Sequence, residues 1–246
     1  MDDLGAQFGG VKFEPLGGER PTDARELLAR AARILADNGH ESGLAGQVTA
    51  RGPEPETYWT LPLGMGLDEA RAESFVLVDG DLKTLQGKGR PNPATRFHLW
   101  VYRARTDVQS IIHTHPPYAS ALAAAVRPLV IGHMDTVKLF DDCAFLPEWP
   151  GVPFADREGE IIAGALGAKH AILLAHHGLL TVGRSVEESA VLAVTMERAA
   201  RMQHLAAAFG GVKPLAGEDP VKARDFLRSA PVINATFDYW WRKASR

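Results

Sequence analysis

The sequence predicts a layered α/β or α+β domain built around a sheet. Three observations carry that reading. Apolar runs of strand length lie close together in places, as at 58–62 and 74–78, and elsewhere alternate with stretches of helical period. No internal repeat, low-complexity tract or linker divides the chain. At 246 residues, 46% hydrophobic and 23% charged, the chain can bury one substantial core. The expected organisation is a flexible arm over 1–20 and a single domain over 21–246; spacing alone leaves the strand order open.

Taken in order, the first twenty residues are rich in Gly, Pro and Glu and read as an arm. Pro21-Thr22-Asp23 then opens a helix with Thr22 as its N-cap and Leu27, Leu28, Ala31, Ile34 and Leu35 on one face. Asn38-Gly39 closes it. A glycine-punctuated loop from His40 leads into a short strand reaching Arg51, and strands follow at Tyr58–Pro62 and Ser74–Val78, the second leaving through Asp79-Gly80-Asp81. Pro93–Arg105 starts with prolines and continues as a helix that turns Phe97, Val101 and Trp100 inward. Val108–Ile112 is a buried strand and Pro116–Ala125 a helix. Leu129–Ile131 and the segment around Val137–Phe140 are short strands or extended pieces, and the three prolines of 147–153 mark a surface loop. Glu158–Leu166 is a helix and Ala171–Ala175 a second buried strand. Ser185-Val186-Glu187-Glu188 is a capped start for a long Ala-rich helix to about Ala208. Phe237–Trp241 is an aromatic cluster that either caps a neighbouring subunit's site or packs the C-terminal segment.

Composition excludes several functions. A net charge of −3 gives no electrostatic basis for binding nucleic acid or a membrane surface. No apolar segment is long enough to span a bilayer, and Met1-Asp2-Asp3-Leu4 lacks the basic start of a signal peptide. The single cysteine, Cys143, cannot form an intrachain disulfide and suits a reducing cytoplasm as a packed thiol.

The chemistry concentrates at His113-Thr114-His115-Pro116-Pro117, where an apolar strand ends. Residues two apart on a strand leave the same face, so the two imidazoles form a metal half-site. The second buried strand runs into His176-His177-Gly178 and supplies a third ligand. Neighbours on an extended strand face opposite sides, so one histidine of the pair ligates: His177 by preference, His176 in reserve. There is no glycine-rich nucleotide fingerprint, P-loop or nucleophile elbow.

With His113-Thr114-His115-Pro116, a downstream His177-Gly178 and a long helix opening Ser185-Val186-Glu187-Glu188, the chain resembles the class II aldolase/adducin family from about Asp23 to Phe209. The resemblance implies a central, mainly antiparallel sheet between helical layers. It also implies homotetramers with sites at subunit boundaries, and His113, His115 and His177 as ligands of a divalent metal ion. Zinc is the first expectation for that ion, with manganese, cobalt, magnesium or iron as others. The departures narrow the chemistry. Phosphosugar members hold phosphate through a Gly-Asn pair, a Thr/Ser-Gly turn and a Ser-Ser pair before a catalytic Glu. Here the matching positions are Gly46-Gln47, Leu63-Gly64 and Asn92-Pro93. They offer too few hydroxyl donors for a phosphate dianion. Ala94 stands where the catalytic Glu would be, and alanine moves no proton.

His40 and Glu41, in the loop before Gly46, are candidates for the missing proton-transfer group. So is His133, near where sugar aldolases place a tyrosine reaching a neighbouring site. Arg96 and Arg51 are candidates to hold a substrate carboxylate, with Gly46 and Gln47 beside it, while His98 reads as a packing residue. The expected function is a metal-dependent carbon–carbon lyase. The first reading is an aldolase acting on a small non-phosphorylated 2-oxo or hydroxy carboxylic acid through a metal-stabilised enolate. The alternative is a decarboxylase of a hydroxylated aromatic acid. A non-haem iron oxygenase and a non-enzymatic adducin-like interaction domain are remoter.

Overall fold

The computed structural model describes residues 20–149, 151 and 156–246. Residues 1–19 of the expected arm, and Pro150 and 152–155 of the expected proline loop, lie outside the described residues. The first described residue, Arg20, pairs its guanidinium with Asp238.

Eight strands form one sheet in the order β4-β3-β2-β1-β5-β8-β7-β6. They are β1 (Gln47–Arg51), β2 (Tyr58–Thr60), β3 (Val76–Val78), β4 (Thr84–Gln86), β5 (Ser110–Thr114), β6 (Cys143–Leu146), β7 (Ala171–Leu174) and β8 (Leu179–Gly183). Neighbours are antiparallel except β6 and β7, which run parallel, so the mainly antiparallel sheet expected from the resemblance is present. The helices are α1 (Ala24–Asp37), α2 (Arg96–Ala104), α3 (Pro117–Ala124), α4 (Asp156–Leu166), α5 (Val186–Ala206), α6 (Asp219–Leu227) and α7 (Ala230–Ala244). Among the described residues, no helix is long and apolar enough to cross a membrane.

Strand alternation sorts the core into two layers. Val48, Ile112, Leu173 and Leu179 face α1, α5 and α7, whereas Ile111, Ile172, Leu174 and Leu180 face α2 and α4. The central strands β5, β7 and β8 are buried on both faces, which is why β7 reads as a continuous apolar run and β5 and β8 lack the alternation of a half-exposed strand. The aromatic cluster belongs to α7. Phe237 is fully buried and Trp240 and Trp241 pack against the core, whereas Tyr239 is exposed.

Three expectations are corrected. The first helix is capped by Asp23 instead of Thr22: its carboxylate reaches the Arg25 N–H at 2.9 Å, and the helix starts at Ala24. Leu129–Ile131 forms no strand. The 137–140 stretch belongs mostly to a 3-10 helix over Met134–Leu139, because His133 Nδ1 accepts the Asp135 N–H and its carbonyl accepts the Thr136 hydroxyl. Those local bonds outcompete an extended ladder.

Candidate metal centre

The centre is built where β5 ends. His113 is the second-last residue of β5, and Pro116 holds the backbone before it extended, so His115 keeps the strand's alternation after the ladder has stopped. The two imidazoles meet with their Nε2 atoms 2.9 Å apart. His113 Nδ1 donates to the Leu179 carbonyl at 2.8 Å, which fixes its tautomer and leaves the Nε2 lone pair toward the cluster. His177 completes a triangle, with ring centroids 4.6 Å from His113 and 4.9 Å from His115. One ring nitrogen from each of the three lies within 4.8 Å of the others.

His177 arrives by a turn, not by strand alternation. β7 stops at Leu174, and the chain reverses with Leu174 N–H on the Gly178 carbonyl and His177 N–H on the Leu174 carbonyl. His176 takes the left-handed conformation, φ +57°, and is exposed, so the reserve ligand faces away. Gly178 is required by the close approach: a Cβ there would lie 2.5 Å from His115 Cδ2 and 2.6 Å from the Thr114 carbonyl oxygen.

Burial keeps all three imidazoles neutral near pH 7. It drives His113 well below the ordinary histidine value, helped by its two neighbours, and it lowers His115. Burial lowers His177 to about 4. Three neutral imidazole lone pairs converging on one point fit a divalent cation, since zinc takes histidine nitrogens at about 2.0–2.1 Å. Phe97, on the first turn of α2, sets its ring edge to His113 at 4.9 Å and closes one side.

Sequence reading missed Glu158. Its side chain is fully buried on α4, and its Oε1 lies 3.9 Å from His177 Nδ1. Neither oxygen has a hydrogen-bond partner among the described residues, and burial raises its carboxyl to about 7. A signal existed: Glu158, Ile162 and Leu166 share one face at helical spacing, so a carboxylate occupies a core position.

The other candidates separate. Gln47 is opposite His113 in the β1–β5 register, so both leave the sheet on one face; it is buried and its Oε1 has no partner among the described residues. Gly46 packs against the His113 carbonyl, where a Cβ would touch at 3.5 Å. Arg96, one-third exposed, shares Asp156 with Trp100 and so ties α2 to α4. Ala94 packs against the apolar layer containing Phe97. His98 is the packing histidine expected, bonded through Nδ1 to Thr49 Oγ1 at 2.9 Å.

Arg51 is corrected from substrate binding to structure. It lies at the far end of β1 from Gln47, and its guanidinium donates to the carbonyls of Val108, Tyr102 and Arg105. His40 is corrected too. It bonds Thr114 Oγ1 at 2.8 Å, and Thr114 leaves β5 on the face opposite His113. Burial lowers His40 to about 3, so its imidazole is uncharged near neutrality. Glu41 and His133 are exposed, and neither makes a contact with the triad of its own chain among the described residues.

A family model for the class II aldolase and adducin N-terminal domain matches residues 26–204. The chain belongs to the class II aldolase and adducin family. It is 35% identical over 194 residues to the 4-hydroxy-3-prenylphenylpyruvate oxygenase/4-hydroxy-3-prenylbenzoate synthase of Streptomyces roseochromogenus subsp. oscitans, covering 78% of this chain and 69% of that protein. It is 34% identical to the decarboxylase NovR of Streptomyces niveus, covering 78% and 71% respectively. Among solved structures, the L-fuculose 1-phosphate aldolase of Glaciozyma antarctica PI12 superposes with a TM-score of 0.82 at 26% identity, covering 92% of this chain and 94% of that one. The superposition covers nearly the whole of both chains, so the two share their overall fold.

Proposed function

We propose that this class II aldolase family member is a divalent-metal-dependent carbon–carbon lyase acting on a small, non-phosphorylated 2-oxo or hydroxy carboxylic acid. The observation that carries the reading is the convergence of three neutral imidazoles at the end of β5. His113, His115 and His177 would hold the ion, zinc in the first instance. When bound, it supplies Lewis-acid polarisation of a substrate carbonyl or hydroxyl oxygen. Gln47 presents a buried acceptor to a substrate hydroxyl on the same face of the sheet. Arg96, at the partly exposed head of α2, offers its guanidinium to the substrate carboxylate. Phe97 keeps water from the inner side of His113, which strengthens electrostatic interactions within the site.

A second reading, decarboxylation of a hydroxylated aromatic acid, has its own support. Ala94 removes a carboxylate that aldol chemistry uses as a base, and a decarboxylase chiefly needs a proton delivered afterwards. Two relatives at 34% and 35% identity carry decarboxylase and benzoate-synthase names. Incubating zinc-, manganese- and iron-loaded protein with both acid classes separates the readings. Aldehyde release from an aliphatic hydroxy-oxo acid supports the aldolase; carbon dioxide without aldehyde assigns the decarboxylase. Turnover confined to phosphorylated sugars would sink the substrate class.

The same reading takes residues 21–246 as one domain and places it in the cytoplasm as a homotetramer with sites at subunit boundaries. His133 supports the assembly, since an exposed imidazole apart from its own triad is free to serve a neighbour's. Light scattering on the metal-loaded preparation tests the mass.

A further inference from the structure

Glu158 has no part in the chemistry above, yet its position is costly. A carboxyl group with a fully buried side chain and no hydrogen-bond partner among the described residues is held there against its own desolvation. α4 is nevertheless packed so as to hold it there. Gly159 lets the helix close on α2, where a Cβ would lie only 2.2 Å from Trp100 Cδ1, and Ile162 and Leu166 anchor the same face. Facing the carboxylate is a second orphan, His177 Nδ1, buried and without a partner among the described residues. A donor and an acceptor are thus sealed together 3.9 Å apart. That is about 1 Å beyond a charge-assisted hydrogen bond and within the freedom of a glutamate's terminal torsion.

The contrast with His113 is informative. Its Nδ1–H is already held by the Leu179 carbonyl, on a strand that cannot shift. His177 sits in a turn, where nothing in the backbone fixes its ring.

We propose that Glu158 is a positioning residue for the metal centre: its carboxylate takes the Nδ1–H of His177 and holds that ring with Nε2 toward His113 and His115. The inference rests on the reading that the triad holds a metal ion. Outer hydrogen-bond partners of this kind orient histidine ligands, and their loss lowers metal affinity about 10- to 100-fold.

Zinc affinity by chelator competition and the visible absorption of the cobalt-loaded protein test it, using wild type, Glu158→Gln and Glu158→Leu. Glu158→Leu is expected to bind zinc about 10- to 100-fold more weakly and to shift the cobalt absorption. Metal-free Glu158→Leu is expected to melt at a higher temperature than wild type, because an unpaired buried carboxylate has gone; a merely structural glutamate would lower it. Wild-type affinity and spectrum in Glu158→Leu overturn the positioning role and leave the triad reading intact. If Glu158→Leu does not fold, Glu158→Gln decides, since its amide oxygen is the weaker acceptor and unchanged affinity overturns the role. Wild-type protein that takes up neither ion overturns the triad reading itself, and the role of Glu158 with it.

Discussion

At the scale of single residues, the centre depends on which nitrogen each imidazole presents. His113 is committed through Nδ1–H to a backbone carbonyl, so its Nε2 carries the lone pair, and the neighbouring Nε2 of His115 is 2.9 Å away. His177 closes the triangle while His176, one residue earlier, is exposed. Elemental analysis of protein purified without added ions should therefore find less than stoichiometric metal in His113→Ala and His177→Ala. His176→Ala should match wild type. Stoichiometric metal in either of the first two variants would show that the ligand set is wrong. The same scale separates the arginines: Arg51 spends its donors on three carbonyls, whereas Arg96 makes one long contact to Asp156 at 3.3 Å.

At the scale of elements, the site is a junction of β5, the β7–β8 turn, and the first turns of α3 and α4. α3 is fixed directly after His115-Pro116 by Glu197 of α5, whose carboxylate accepts the Tyr118 and Ala119 N–H groups at 2.9 and 2.8 Å. The turn is fixed by glycine. In Gly178→Ala the new methyl must displace His115 or the β5 backbone, costing about 1–3 kcal/mol and widening the triad. Thermal melting should show the stability loss and chelator competition a weakened zinc affinity; unchanged values for both would refute the close approach. These elements were unequally legible in the sequence. His113 and His115 follow from strand period, extended by Pro116. His177, not His176, joins the cluster, but through a left-handed turn that spacing does not reveal. β4 and β6 are short edge strands of three and four residues; β4 lacks an apolar run, and β6, though apolar, is partly exposed throughout, so neither is marked by burial as β5 and β7 are. The helix at 134–139 depends on a histidine side chain capping its own backbone. Glu158 is visible only once its helix face is known to be buried.

At the scale of the whole molecule, the core carries buried histidines whose protonation opposes folding. His40 and His98 are fully buried, and burial alone lowers each to about 3, with no charged neighbour contributing. Each has one hydrogen-bonded nitrogen, to Thr114 and Thr49 respectively, and one Nε2 without a partner among the described residues. In the unfolded chain both take up a proton near pH 6.5, while in the native state they stay neutral until about pH 3. Between those limits the unfolded state binds more protons, so stability rises with pH and falls on acidification. Glu158 works in the opposite sense, because a carboxyl raised to about 7 favours the native state at low pH and loses that contribution as pH rises. In the metal-free protein His113, His115 and His177, also lowered by burial, act in the same sense as His40 and His98, so between the ordinary carboxylate value and neutrality these histidines outnumber the raised carboxyls of Glu158 and Glu197. Metal-free protein should therefore lose melting temperature gently from about pH 7 to about pH 5 and more steeply below. A melting temperature that is flat or rising on acidification across that range would mean that the buried histidines, His40 and His98 among them, are not held neutral in the fold.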